Sequence, residues 1–222
     1  MTAPSETDFY AAFLHELNQP LTAIRNLLEL TTYRETNDWP DVVENSLVNV
    51  DRMIELVDLM GQLKRLERNP LPTEQADVAA VLREALEDLG ASAAADGKKL
   101  VGAGTAEVTW VTMPLEILRP ALFRILDDAV HHTPRQEVIK IALSPDSAAA
   151  SVQVASPGMR FSLSESQTLL SLAHTGRGAR GAITRRVFRM ALILRTLALH
   201  GAKFALSDGE GQTPRLDISL PR

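Results

Sequence analysis

From about residue 8 to residue 34, apolar side chains recur every three or four positions. Phe13, Leu17, Leu21, Ile24 and Leu28 fall on one stripe, a spacing that predicts an amphipathic helix. Pro20 lies inside this pattern, and a mid-helix proline removes a backbone donor, so a kink is expected there. The polar run from Glu35 to Pro40 reads as a turn. A second helix follows from about Asp41 to Glu67, with its stripe at Val43, Leu47, Val50, Ile54, Val57 and Met60. Two helices of similar length joined by a short loop predict an antiparallel hairpin. Leu56, Leu59 and Leu63 lie off the second stripe, more apolar surface than a lone hairpin covers. A four-helix bundle built from two chains would bury that excess, so a homodimer is expected. The other available cover, not preferred at this point, is the C-terminal part of the same chain.

Asn69-Pro-Leu-Pro-Thr73 reads as a linker, since two prolines stop the helix. It divides the chain into a helical hairpin, residues 1–70, and a mixed domain, residues 71–222. Asp77 is placed to cap a helix over about Val78 to Ala94. Ala106 to Thr112 is a strand candidate, and Pro114 to His132 a helix. Strands are expected over Glu137 to Leu143 and Ala150 to Ala155, with a turn at Pro145-Asp146-Ser147. A helix is expected from Thr184 to His200. Two last strands, Lys203 to Ser207 and Arg215 to Leu220, flank an Asp208-Gly-Glu-Gly211 turn. Helices interleaved with hairpin-connected strands indicate an α+β fold, with an α/β sandwich after the hairpin.

Composition narrows the picture. Hydrophobic residues form 45% of the 222 positions, enough for a real core, and the net charge of -5 speaks against a nucleic-acid partner. Without cysteine there are no disulfides, no thiol catalysis and no cysteine-ligated zinc. The N-terminus shows no signal-peptide pattern, and no stretch approaches the ~18 apolar residues of a membrane span. A cytoplasmic protein with no membrane contact is the resulting expectation.

The segment with most chemical content is Phe13-Leu-His-Glu-Leu-Asn-Gln-Pro-Leu-Thr-Ala-Ile24. His15 sits between stripe positions Phe13 and Leu17, so it should point outward. Glu16 is its neighbour, and Gln19 lies one turn on, on the same face. An exposed imidazole is a potential nucleophile, and a nearby carboxylate can orient it and take its other proton. A lone surface histidine would deserve no such reading, but the whole string resembles the H-box of two-component sensor histidine kinases, in the form His-Glu-Leu-Asn-Gln-Pro-Leu. The resemblance implies that His15 accepts a phosphoryl group and that Glu16 is the acid/base neighbour. It further implies that Asn18 and Gln19 are the polar residues that help position an attacking water.

The resemblance extends along nearly the whole chain, with weaker motifs in the second half. Leu122 to Thr133 resembles the family's asparagine helix, with the two asparagine positions falling on Arg124 and Asp128. An aspartate could still contact magnesium, but Arg124 does not suit its position. Val152 to Gly158 resembles the strand and turn that hold the adenine, and the base-reading aspartate falls on Ser156. Leu192 to Gly201 matches the helix ending in His-Gly. The preceding glycine positions fall on Arg185, Val187 and Arg189; glycine there lets the backbone approach the phosphates, and the β-branched Val187 would strain or block that approach. Three altered elements imply loss of ATP binding.

Other clusters weigh less. Arg177, Arg180, Arg185, Arg186, Arg189 and Arg195 read as a solvated helix face rather than an anion site. Asp127, Asp128, His131 and His132 have helical spacing that could hold a metal, but read as ordinary helix-face pairs. Gly176, Gly178 and Gly181 lack the context of a phosphate loop.

The expected function is a dimeric histidine phosphotransferase. His15 would accept a phosphoryl group from a response-regulator receiver domain or an upstream histidine kinase and pass it to a second receiver. The chain would need no cofactor of its own, the receiver supplying magnesium. The rival readings are an active histidine kinase with an atypical nucleotide site and a non-catalytic pseudokinase scaffold.

Overall fold

A computed structural model describes residues 7–33, 39–69, 71–146, 148–176 and 183–222. Arg177, Gly178, Arg180 and Gly181 lie outside these residues, as does most of the expected turn after the first helix.

Helix α1 spans Thr7–Tyr33 and α2 spans Trp39–Arg68. Helix α1 is continuous through Pro20. The two pack as the expected hairpin. After them come β1 (Gln75–Asp77), α3 (Val78–Ala95), β2 (Lys99–Ala103), β3 (Trp110–Thr112) and α4 (Leu115–His132). The remaining elements are β4 (Val138–Pro145), β5 (Ala149–Ala155), α5 (Leu163–Thr175), α6 (Arg185–Ala198), β6 (Lys203–Asp208) and β7 (Pro214–Pro221).

Local chemistry explains several boundaries. Asp77 caps α3 by accepting from the Ala79 amide at 3.0 Å, and its Oδ1 also accepts from the Thr109 amide at 3.0 Å. Helix α5 opens on a capping box: the Ser162 hydroxyl accepts from the Glu165 amide and the Glu165 carboxylate accepts from the Ser162 amide. Gly176, in the left-handed region at φ 67°, closes that helix.

Five strands form one sheet in the order β2-β4-β5-β7-β6. Strand β2 runs parallel to β4, and the other pairings are antiparallel. Burial alternates along each central strand: Ile139, Ile141 and Leu143 on β4, Ala150, Val152 and Val154 on β5, Leu216, Ile218 and Leu220 on β7. The helices therefore cover one face only. Strands β1 and β3 make a separate antiparallel pair.

The structure corrects the expected cover of α2. Leu56, Leu59 and Leu63 are buried at 2%, 1% and 2% exposure within the single chain. They pack against α6, whose Val187, Phe188 and Ala191 are also buried. Phe13 of α1 and Phe188 of α6 bring their ring centroids to 6.4 Å. The surplus leucines thus serve the joint between hairpin and sheet domain. What stays exposed is most of the α2 stripe, Val43, Leu47, Val50, Ile54 and Val57, its last member Met60 being buried, with Leu21 and Leu28 of the α1 stripe.

His200, just beyond α6, is 8% exposed, and its Nε2 has no hydrogen-bond partner among the described residues. Burial pushes its pKa below the ordinary value of 6.5. A depressed histidine contributes stability that is present above the unfolded pKa and lost as pH falls through the folded one. Thermal melts should therefore weaken as the pH drops from about 7.5 to about 5.5. The loss should be smaller in His200→Leu; equal losses in both proteins would remove His200 from the account.

Candidate functional site

The first half of the site lies on α1. His15, Asn18 and Gln19 are exposed and line one shallow groove with Leu14 and Thr22. This follows from helix geometry, because positions 15, 18, 19 and 22 share a face. The Gln19 carboxamide nitrogen lies 3.4 Å from His15 Nδ1. The amide nitrogen can only donate, so this long contact suits the tautomer with its proton on Nε2; attack from Nε2 needs the Gln19 amide turned so that its oxygen accepts from Nδ1–H. The Thr22 hydroxyl donates to the Asn18 carbonyl at 2.8 Å, so Thr22 is tied to the backbone.

Glu16 does not share this groove. It is 2% exposed on the side of α1 that turns under α6, and its Oε2 has no hydrogen-bond partner among the described residues. Burial raises its pKa, opposed by the charges of His15 and Arg185. The structure thus separates the four residues into an exposed triad and one buried carboxyl beneath it.

The second half lies around α4. Asp128 is buried at 3% exposure. Arg186 of α6 holds it with two donors, Nη2 at 2.7 Å and Nε at 3.0 Å, both to Oδ2. The same guanidinium donates to the Gly158 and Arg160 carbonyls and sits 4.4 Å over the Phe161 ring centroid. His132 approaches the other Asp128 oxygen at 3.4 Å. Burial lowers the His132 pKa, against the pull of Asp128.

Ser156 is fully buried, and its hydroxyl lies 3.1 Å from that of Thr133. Gly158 is needed where it stands: a Cβ there would come within 2.7 Å of the Thr133 amide nitrogen and 2.8 Å of the Ala129 carbonyl oxygen. Asp128, Ser156 and Gly158 are therefore one cluster. Arg124 is not part of it; it lines a groove between α3 and α4 with Glu84, Glu87, Asp88 and Phe123.

The arginine run is not a solvated face. Among its described members, Arg186 pairs with Asp128, Arg189 with Glu55 at 2.9 Å and Asp127 at 3.8 Å, and Arg195 with Glu67 at 3.8 Å. Arg185 lies in the field of Glu16, Glu55 and Arg52. Counting charge alone missed these roles. The available signal was complementarity: an arginine at nearly every turn of one helix, and Glu55, Glu67, Asp127 and Asp128 on two others. Among the described residues no group of acidic and histidine side chains could hold a metal ion. Nor is any described helix long and apolar enough to cross a membrane.

Comparison with known proteins bears on both halves. Residues 5–69 match the His Kinase A (phospho-acceptor) domain. Over 219 residues, 98% of this chain, the sequence is 26% identical to the sensor-type histidine kinase PrrB of Mycobacterium bovis and of Mycobacterium tuberculosis. The chain spans about half the length of these curated relatives, 48%. Among solved structures, the histidine kinase AdeS of Acinetobacter baumannii superposes with a TM-score of 0.71 at 16% identity, covering 93% of this chain and 97% of that one. The histidine kinase ThkA, in complex with the response regulator protein TrrA, gives 0.70 at 13% identity, covering 96% of this chain and 60% of that one. These likenesses show a shared fold.

Proposed function

We propose, from the premise that this chain is a two-component histidine kinase core by its phospho-acceptor hairpin and its fold, that it works as a histidine phosphotransferase. His15 takes a phosphoryl group from a receiver aspartate or an upstream kinase and yields it to a second receiver, without autophosphorylation from ATP. ThkA is seen with a response regulator, and by analogy a receiver domain is the partner for the His15 groove. The transfer is chiefly a matter of positioning and charge, so a stiff helix presenting the His15 ring is sufficient on this side. Magnesium would come with the receiver.

The observation that carries the reading is Arg186. Its guanidinium holds Asp128, where the resemblance puts magnesium, and donates to the carbonyl of Gly158, in the turn that resembles the adenine-holding one. A carboxylate already holding a cation is a poor magnesium ligand. Ser156, bound to Thr133, is also shorter than the aspartate that would read an adenine. The residues present do not fit the nucleotide. Titrating the protein with magnesium-ATP in a calorimeter should give no saturable heat up to about 1 mM, the upper end of ordinary KM values. Saturable binding would favour the second reading, an active kinase, which the 26% identity to sensor kinases over 98% of the chain keeps in play.

The exposed stripe on α1 and α2 supports a homodimer. Packing Leu47 and Ile54, 57% and 54% exposed here, against a second hairpin would complete a four-helix bundle. Light scattering should give twice the 24.3 kDa chain mass, and Ile54→Glu should give the single mass. A monomeric wild type would refute the dimer.

A further inference from the structure

We propose that Arg185 is a positioning residue for the chemistry at His15: from α6 it faces the underside of α1, sets the charge carried by Glu16, and so sets the field at the imidazole. The proposal rests on the reading of His15 as phosphoryl acceptor.

The register of α1 against α6 places these residues together. Phe13 touches Phe188. Glu16 lies three residues after the first ring and Arg185 three residues before the second, and a three-residue step stays on one helix face. Both side chains end in buried atoms, Glu16 Oε2 and Arg185 Nη2, that have no hydrogen-bond partner among the described residues. Each feels the other's charge. Around them stand His15 on α1, Arg52 and Glu55 on α2, and Arg189 on α6.

A carboxyl at 2% exposure tends to take up a proton unless a cation faces it. His15 is the larger opposing charge when its ring is protonated; with the ring neutral, Arg185, supplied by the sheet domain, is the cation that remains. Burial and the Arg52 charge weigh against its own protonated form, while Glu16 and Glu55 favour it. In the transfer step, the lone pair of the open imidazole nitrogen forms the N–P bond. The P–O bond to the receiver carboxylate breaks, and the carboxylate leaves with its electron pair. The ring enters with one proton and becomes cationic as the bond forms. An ionised Glu16 beneath it favours that charge, and a protonated Glu16 does not. Arg185 therefore acts on His15 through Glu16, and ties the docking of the sheet domain to the reactivity of the hairpin.

The test uses the whole chain and Arg185→Gln, Arg185→Lys and Glu16→Gln variants. Carbon NMR follows the titration of the Glu16 carboxyl, and phosphoramidate serves as donor for the pH dependence of His15 phosphorylation. In Arg185→Gln the Glu16 midpoint should rise by about one pH unit, and the acid limb of the rate should move with it. Arg185→Lys should restore both, and adding Arg185→Gln to Glu16→Gln should not shift the limb. An unchanged Glu16 midpoint, or a rate lowered equally at every pH, would overturn the proposal. The Glu16 titration is read on the protein alone. A wild type that titrates as expected but takes no label at His15 would instead count against the phosphotransfer reading.

Discussion

A His15→Ala variant should take up no label from any phosphoryl donor, while melting within about 0.5 kcal/mol of the wild type. The first part follows from chemistry. The groove on α1 is otherwise lined by Leu14, Asn18, Gln19 and Thr22, and none of these offers a nitrogen lone pair able to attack phosphorus. The second part follows from burial, because His15 is exposed and its hydrogen-bond contact with Gln19 is long, at 3.4 Å. Exposed substitutions of this kind leave stability almost untouched. Loss of label with an intact melt therefore reports on the nucleophile and not on the fold. Label persisting at the wild-type level would place the acceptor elsewhere.

Arg186→Ala should have the largest effect on stability, about 3–5 kcal/mol. The Asp128 side chain is 4% exposed and that of Arg186 20%, so removing the arginine strands a desolvated carboxylate. His132, at 3.4 Å, is the other cation within reach, and burial already weighs against its charged form. The variant also frees the Gly158 and Arg160 carbonyls. Replacing both partners by Arg186→Met with Asp128→Leu should recover most of the loss, since the cost lies in the unpaired charge. Urea unfolding measures both. A single-variant loss under about 1 kcal/mol would mean that the pair is solvated and not a buried clamp.

The hairpin was legible because a three-four apolar stripe sustained over about four to five turns in each of two helices has only one solution, and His15 could be placed outward from its neighbours Phe13 and Leu17. The central strands β4, β5 and β7 were legible from period-two alternation. Helix α5 went unread although Ser162 and Glu165 spell a capping box, because its apolar residues form only a weak stripe. Strand β2 went unread for a different reason. Its pairing is parallel and its partner is about forty residues away in sequence, so no local turn announces it; only three residues of the strand expected over Ala106 to Thr112 pair, in β3.

The cover of Leu56, Leu59 and Leu63 was misread because an amphipathic surplus does not name its partner. Only the tertiary structure shows that α6 reaches it first. The same gap hid Arg186. A guanidinium that fills a site from a distant helix leaves no signature at the site's own residues, so Asp128, Ser156 and Gly158 could be named as altered positions without revealing what now binds them.

Phosphoryl groups that reach His15 without ATP turnover by this chain are what set a phosphotransferase apart from a kinase. The most direct measurement offers the purified protein labelled ATP with magnesium in one reaction and a labelled phospho-receiver in another, with His15→Ala beside each. The expected result is label from the receiver, none from ATP, and none in the variant. Label from ATP that disappears in His15→Ala would contradict the phosphotransferase reading and make the chain a working kinase.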